Sequence, residues 1–479
     1  MAAGLVDEEQ EILESYNLET QKTELDDDGK ITRTGTVWTA SAHIITAIIG
    51  SGVLSLAWAV AQLGWVAGIG TLLIFAGITL YTSALLADCY RYPDPVTGKR
   101  NYTYMEVVKA HLGGRMHMLC GLVQYVTLSL FAVSYTITTS TSMVAIGKSN
   151  CFHKEGHEAK CKFSYNPYMV GFGIAQIFVS QIPNLHKLWW LSILAATMSF
   201  GYASIGMGLS LAKIVSGSGE RTTLTGREIG EGLNAAAKVW TMFRAIGDIA
   251  FASTYTCILI EVQDTLRSSP PENKVMKKAN SIAVLTSTTF YLLCGCLGYA
   301  AFGNEAPGNL LTGFGFYEPF WLIDMANLFI VIHLIGGYQV ASQPVFIAFE
   351  SWASKRWPKS RFVTREYPLR IGNKDFNFSI NCLRLTWRTA YVVTGTVVAM
   401  ALPFFNDIIA LLGAIAYWPL SVYFPIKLHI RQSMVRQGSI KWLLLQLLNL
   451  VCLLVAIAAA SGAIEGLYKG LKTYKPFKF

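Results

Sequence analysis

The chain has 479 residues, 52% of them hydrophobic and only 14% charged, a balance too apolar for a soluble protein of this length. Its formal charge of +9 carries no implication of a nucleic-acid partner, because Lys and Arg fall largely between apolar runs, where they set membrane orientation. Many of those runs approach the length of a bilayer span, which makes this a multi-pass protein with the lipid bilayer as its solvent.

In chain order, residues 1–34 form an acidic, polar opening with Glu8, Glu9, Glu11 and Asp26 to Asp28. They lack the basic start and short apolar core of a signal peptide, and are expected to be a disordered cytoplasmic tail. Apolar runs then predict eleven transmembrane helices, at 36–60, 65–89, 118–147, 167–185, 189–214, 239–264, 279–302, 319–350, 384–403, 405–428 and 440–467. The division expected is a ten-helix core over 35–430, followed by the eleventh helix and a short extracellular C-terminus over 431–479. Arg91, Lys99, Arg100, Lys109 and Arg115 crowd the second loop, and Arg267, Lys274, Lys277 and Lys278 the sixth. Basic residues also fill 355–374 and the loop holding Lys427, Arg431 and Arg436, whereas the loops after spans 1, 7 and 9 have none. The positive-inside rule therefore puts the amino end in the cytoplasm. The loop 148–166, with Lys148, Lys154, Lys160 and Lys162, disagrees and is outvoted.

The first span contains Thr46 to Trp58, T-A-I-I-G-S-G-V-L-S-L-A-W. Gly50 and Gly52 together cost roughly 2 kcal/mol of helix propensity at its centre, so the helix is expected to unwind there. Unwound backbone at bilayer depth survives only beside protein or a water-filled cavity. A half-helix starting near Ser51 would aim bare N–H groups and a positive dipole end at an anion such as a carboxylate. The alternative is a small-residue packing face.

Ionisable residues inside spans are costly and call for a reason. His43 lies seven residues before Gly50, on nearly the same helix face, and His333 lies within the eighth span. Imidazoles titrate near pH 6.5 in water and suit proton coupling; the other reading is a neutral ring bonded to a neighbouring helix. Arg244 and Asp248 have the i, i+4 spacing that favours pairing, and Asp248 is also a candidate for coupling or gating. Glu261 and Asp264 near the inner end read as gate or interface residues. An inverted repeat predicts a matching break in the sixth helix, near Phe251-Ala252-Ser253-Thr254-Tyr255-Thr256, although that stretch has neither Gly nor Pro.

Cys151 and Cys161 would close a short loop by a disulfide on the outer face; His153 and His157 between them leave zinc as an alternative. The other cysteines read as packing residues. The sequons at Asn101 and Asn377 lie in loops assigned to the cytoplasm, so glycan at either would invert the topology.

Several long stretches resemble the plant amino acid permease family, within the amino acid/auxin permease group of proton-coupled carriers of the LeuT-type fold. They are R-T-G-T-V-W-T-A-S-A-H-I-I-T-A-I-I-G-S-G-V-L-S-L-A-W from Arg33, K-R-N-Y-T-Y-M from Lys99 and L-I-E-V-Q-D-T-L-R-S-S-P-P-E-N-K from Leu259. The stretch from Cys294 to Pro319, L-P-F-F-N-D from Leu402 and Y-K-P-F from Tyr474 also match. The resemblance implies an all-α integral membrane protein with two inverted sets of five helices plus one. It also implies import of amino acids with protons across the plasma membrane, with no cofactor beyond H+ and no enzymatic activity. Carried over, Ser51 and Gly52 would offer N–H groups to the substrate carboxylate, and carbonyls near Ile48, Phe251 and Ala252 would accept from its ammonium. Gly50, Ser253, Tyr255, Tyr135 and Tyr338 complete the candidate substrate-binding set, while His43 and His333 match the family's intramembrane histidines. The chain departs from the family at Ser134, Ser253 and Ala341. Ser253 and Ala341 stand where aromatic rings are common, which would widen a pocket that they lined. An amino acid facilitator or exchanger, or a sensor that binds without transport, remains the alternative, and the sequence does not fix the oligomeric state.

Overall fold

The computed structural model describes residues 25–30, 32–156, 158–182, 189–230, 233–314, 320–371 and 374–474. Glu8, Glu9, Glu11, His157 and the residues after Tyr474 lie outside these.

Helix α1 (Val37–Ile48) starts at a reciprocal cap between Thr36 and Thr39, and buries Ala40, Ile44 and Ile48 along one face. The chain leaves it at Ile49 and Gly50, makes a 3-10 turn over Ser51–Ser55, and continues as α2 (Leu56–Asp88). Within α2 the chain folds sharply at Gly64, whose φ of 79° and crowding against the 224–226 backbone exclude a side chain. The runs expected as spans 1 and 2 therefore lie on either side of Gly64.

A short hairpin, β1 (Arg91–Tyr92) with β2 (Lys99–Arg100), sets Arg91 opposite Arg100. It leads through α3 (Tyr104–Leu112) to α4 (Gly114–Glu155), α5 (Asn166–Ser180) and α6 (Trp189–Val215). The sixth predicted span is divided: α7 (Ala235–Ala252) ends, Ser253 to Tyr255 are non-helical, and a 3-10 turn over Thr256–Ile258 leads into α8 (Leu259–Gln263). Then follow α9 (Glu272–Phe302), α10 (Phe320–Arg356), α11 (Arg361–Thr364) and the hairpin β3 (Glu366–Ile371) with β4 (Lys374–Asn381). The chain closes with α12 (Cys382–Ala401), α13 (Phe405–Ala416), a π-helical turn over Tyr417–Tyr423, α14 (Phe424–Gln432) and α15 (Ile440–Thr473). Asn234, Asn381 and Ser439 cap α7, α12 and α15 by accepting from backbone N–H groups of their first turns.

Among the described residues, eight helical segments are long and apolar enough to cross a membrane. Burial separates their roles. In the most apolar stretch of the segment 235–263, 78% of residues are buried, against 17% for α15, so the broken sixth segment lies at the centre and α15 on the rim. There α15 packs on α7 and α13, α2 packs on α9, and α10 packs on α4 and α6.

Two expectations need correction here. The tail was expected to be disordered through residue 34, but Asp27 is held by Arg91 and Arg100 of the folded body, and Asp26 and Asp28 by Arg33, itself bonded to Asp264. Arg244 bonds Asp407 of α13 at 2.7 Å instead of Asp248. Both α7 side chains lie toward α13, where the adjacent Asn406 and Asp407 take one each. The Cys151–Cys161 disulfide is formed, with Cα atoms 6.0 Å apart, which leaves those sulfurs no role as zinc ligands.

Candidate functional site

The two helix breaks lie against each other. A Cβ on Gly52 would stand 3.1 Å from the Phe251 ring and 3.2 Å from the Ala252 Cα, so glycine is what permits this approach. Among the described residues, no acceptor is found for the Ser51 and Gly52 backbone N–H groups, and the buried Ser51 Oγ likewise has no partner. These groups start the Ser51–Ser55 turn, where an anion can be held by backbone donors.

The second break contains neither Gly nor Pro, and hydroxyls on either side of it bond backbone carbonyls. Ser253 Oγ donates to the Ile249 carbonyl at 3.0 Å and Thr254 Oγ1 to Ala250 at 2.8 Å; such back-bonding bends helices. Thr256 Oγ1 turns to α13's continuation, at the Leu420 carbonyl and Ser421 Oγ. The Tyr291 hydroxyl of α9 reaches both chain ends at once, 2.5 Å from the Ile48 carbonyl and 2.9 Å from that of Ala252. Ile48 O also accepts from Gly50 N–H at 2.8 Å, and Phe251 O from Thr254 N–H at 2.9 Å. Ile48, Ala252, Ser253, Tyr255, Ser287, Thr288 and Tyr291 line a small open cleft beside the breaks, together with Leu72, Ala76 and Thr79 of α2.

His333 is buried in α10, and its Nδ1 lies 2.9 Å from the Ala195 carbonyl and 2.8 Å from Ser199 Oγ. A carbonyl only accepts, so the ring hydrogen sits on Nδ1 and Nε2 is left as the acceptor. Nε2 faces the first break, 3.8 Å from where a Gly50 Cβ would be. His43, by contrast, is exposed on α1 beside Ala42, away from the core face. Asp248 is wholly buried one turn before the second break; its Oδ2 accepts from Asn406 at 2.9 Å, and Oδ1 has no hydrogen-bond partner among the described residues.

The remaining candidates are spread more widely. Tyr255 is buried beside the second break and its hydroxyl reaches Asn280 at 3.4 Å. Phe251 packs on Phe131, which stacks with Tyr135, and Tyr135 in turn lies against Gly337 of α10. Tyr338 packs away from the breaks, with Ala132, Phe172 and Val392. Ala341 is buried in α10 one turn beyond Tyr338.

At the end of the bundle holding the start of α1, charge ties both broken helices to the scaffold. Arg33 bonds Asp26 at 2.9 Å, Asp28 at 2.8 Å and Asp264 at 2.9 Å, and Tyr90 donates to Asp264 at 2.6 Å. Arg91 and Arg100 share Asp27 and the buried Glu272. Gly35 and Leu266 complete the junction as a parallel bridge. Glu261 accepts from the Tyr104 backbone N–H at 3.2 Å.

Sequence reasoning missed Tyr291, and a signal was available. A tyrosine in the middle of a predicted span brings a hydroxyl that needs a partner at bilayer depth.

Two helices broken at the same level and in mutual contact, with free backbone donors at one break and a histidine facing it, define a membrane carrier of the broken-helix type. A family profile described as "Transmembrane amino acid transporter protein" matches residues 33–469, and the chain belongs to that family, within its plant amino acid permeases. Amino acid permease 8 of Arabidopsis thaliana is 61% identical over 454 residues, 95% of this chain and 95% of its own. Amino acid permease 6 of the same plant is 60% identical over 456 residues, 95% of this chain and 94% of its own. The crystal structure of MhsT in complex with L-phenylalanine matches with a TM-score of 0.55, covering 90% of this chain and 100% of that one; at 11% identity the likeness is one of fold. The protein is thus a transporter and not an enzyme.

Proposed function

We propose that the protein is a plasma-membrane symporter that imports amino acids with protons by alternating access. The observation that carries this reading is the contact of the two breaks under His333. Ser51 and Gly52 N–H groups receive the substrate carboxylate, and the carbonyls of Phe251 and Ala252, each with a second lone pair, receive its ammonium beside the Ile48 carbonyl, which already accepts from Gly50 and Tyr291. His333 Nε2 takes up the proton beside Gly50, within reach of a bound carboxylate. Asp248, with one carboxyl oxygen unpartnered, is a second place that can hold a proton. Ten helices form two inverted sets of five, α15 is the eleventh helix outside them, and the amino end is cytoplasmic. The arginine and aspartate junction at Arg33 is then the closed inner gate.

Each charge carried inward down about 100 mV gains about 2.3 kcal/mol, which drives accumulation. The names of the related amino acid permeases support amino acids as the substrate class. Ser253 on the cleft supports a site that admits bulkier neutral amino acids than relatives with an aromatic ring there. The test is electrophysiology in a heterologous cell, perfusing each amino acid at two external pH values. Inward currents that grow with external acid are expected. Uptake indifferent to both pH and voltage would mean a facilitator or exchanger, and binding without accumulation in proteoliposomes would mean a sensor.

A further inference from the structure

We propose that Tyr291 is a specificity-determining residue that denies metal cations the carbonyl pair where the two broken helices meet. The inference rests on the proton-symport reading and says why the proton has no competitor there. The Ile48 and Ala252 carbonyls are the last of α1 and α7, so both lie at the negative end of a helix dipole. Carbonyls of unwound backbone and half-helix C-termini are the groups that coordinate Na+ in carriers built on broken helices. Hard cations are held by oxygen ligands such as backbone carbonyls. The Tyr291 hydroxyl lies within hydrogen-bond reach of both carbonyls and so occupies the space that an ion bridging them would need.

The surroundings would otherwise suit an ion. Ser287, Thr288 and Tyr291 line the cleft from α9, and Ser253 lines it from the second break. The Ser287 hydroxyl is buried without a hydrogen-bond partner among the described residues. Removing the Tyr291 hydroxyl would leave an oxygen-lined space, open to the cleft, between two negative helix ends. With the hydroxyl present, a neutral donor supplies the hydrogen bond and no charge is needed.

The test compares amino acid-evoked currents in Na+, Li+ and choline media at two external pH values, for the full chain and for Tyr291→Phe and Tyr291→Trp. The wild type is expected to be indifferent to the cation and stimulated by external acid. Y291F is expected to gain cation dependence, its apparent substrate affinity differing about tenfold between Na+ and choline, which corresponds to about 1.4 kcal/mol. Y291W, whose indole N–H still donates and which adds no oxygen ligand, is expected to stay indifferent. A Y291F protein that reaches the membrane and responds equally in all three media overturns the proposal. So does a Y291W protein that becomes cation-dependent, or failure of both variants to reach the membrane, which would assign Tyr291 to packing. A wild type that requires Na+ would instead overturn the proton-symport reading itself.

Discussion

Gly52 lies flat against the Phe251 ring, with 3.1 Å between the ring carbons and the point where a β-carbon would stand. The contact joins the two helix breaks directly, and a β-carbon there would be tighter against the ring than most side-chain contacts are. A Gly52→Ala protein must push the breaks apart or shift Phe251 into Phe131, at a cost of about 1–3 kcal/mol. Transport is expected to fall by at least about tenfold while the protein still reaches the membrane. Surface labelling with uptake in the same cells checks this, and normal uptake would show that the breaks do not need their present separation.

His333 is the histidine whose free nitrogen faces a break; His43 is exposed on α1. His333→Gln keeps a hydrogen-bond donor for Ala195 but has no titratable group. It is expected to flatten the acid stimulation of uptake, with maximal rates reduced by about tenfold or more. His43→Gln is expected to keep the acid stimulation. The reverse result, in pH profiles of the two variants, would move the proton site to α1.

Arg244 and Asp407 bond at 2.7 Å with both side chains largely buried, and the Arg244 guanidinium also lies 5.1 Å over Trp58. Losing one partner leaves the other without its counter-charge, and Asp407→Ala is expected to cost about 2–4 kcal/mol, somewhat less than a fully buried pair. A double-mutant cycle of Arg244 with Asp407 is expected to show a larger interaction energy than one of Arg244 with Asp248. Thermal unfolding of the purified variants measures both, and equal energies would restore the pairing within α7 that the spacing implies.

At the junction around Arg33, Arg33 hydrogen bonds hold Asp28 well below the usual carboxylate range. At Asp26 and Asp27 burial pushes upward, but it is outweighed by the bonds from Arg33 at the first and from Arg91 and Arg100 at the second. Folded values below unfolded ones mean that this stabilisation is complete above about pH 4 and is lost as pH falls through the folded values. The melting temperature is expected to hold from neutrality to about pH 5 and to decline in acid below about pH 4. Arg33→Gln should lower the neutral value and shrink the acid decline, and an unchanged decline would place its origin elsewhere.

Ser253 lines the cleft together with Leu72 and Ala76. Ser253→Tyr is expected to fill that space and exclude the bulkiest neutral substrates first. Ala341→Tyr, on the helix face one turn from Tyr338, is expected to change selectivity less. Competition uptake across the standard amino acids checks both, and an unchanged profile in S253Y would remove the cleft from the substrate path.

The apolar runs and the Gly50-Ser51-Gly52 interruption were legible from the chain alone, because hydropathy and helix propensity are properties of neighbouring residues. The same holds for the disulfide loop, whose two cysteines are close in sequence. The second break was expected only by symmetry, since that stretch has neither Gly nor Pro and the groups that meet it, such as Tyr291 of α9 and Leu420, come from distant parts of the chain. Likewise the spacing of Arg244 and Asp248 fixed which residues were near on one helix, but α13 decided their partners. Asp26 to Asp28 read as a solvated acidic run until the fold brought Arg33, Arg91 and Arg100 to one end of the bundle. Sequence determined which runs are apolar enough to cross a membrane and where the first helix yields. Tertiary structure decided which polar groups meet, because hydrogen bonds and ion pairs depend on distances of a few ångströms between helices far apart in the chain.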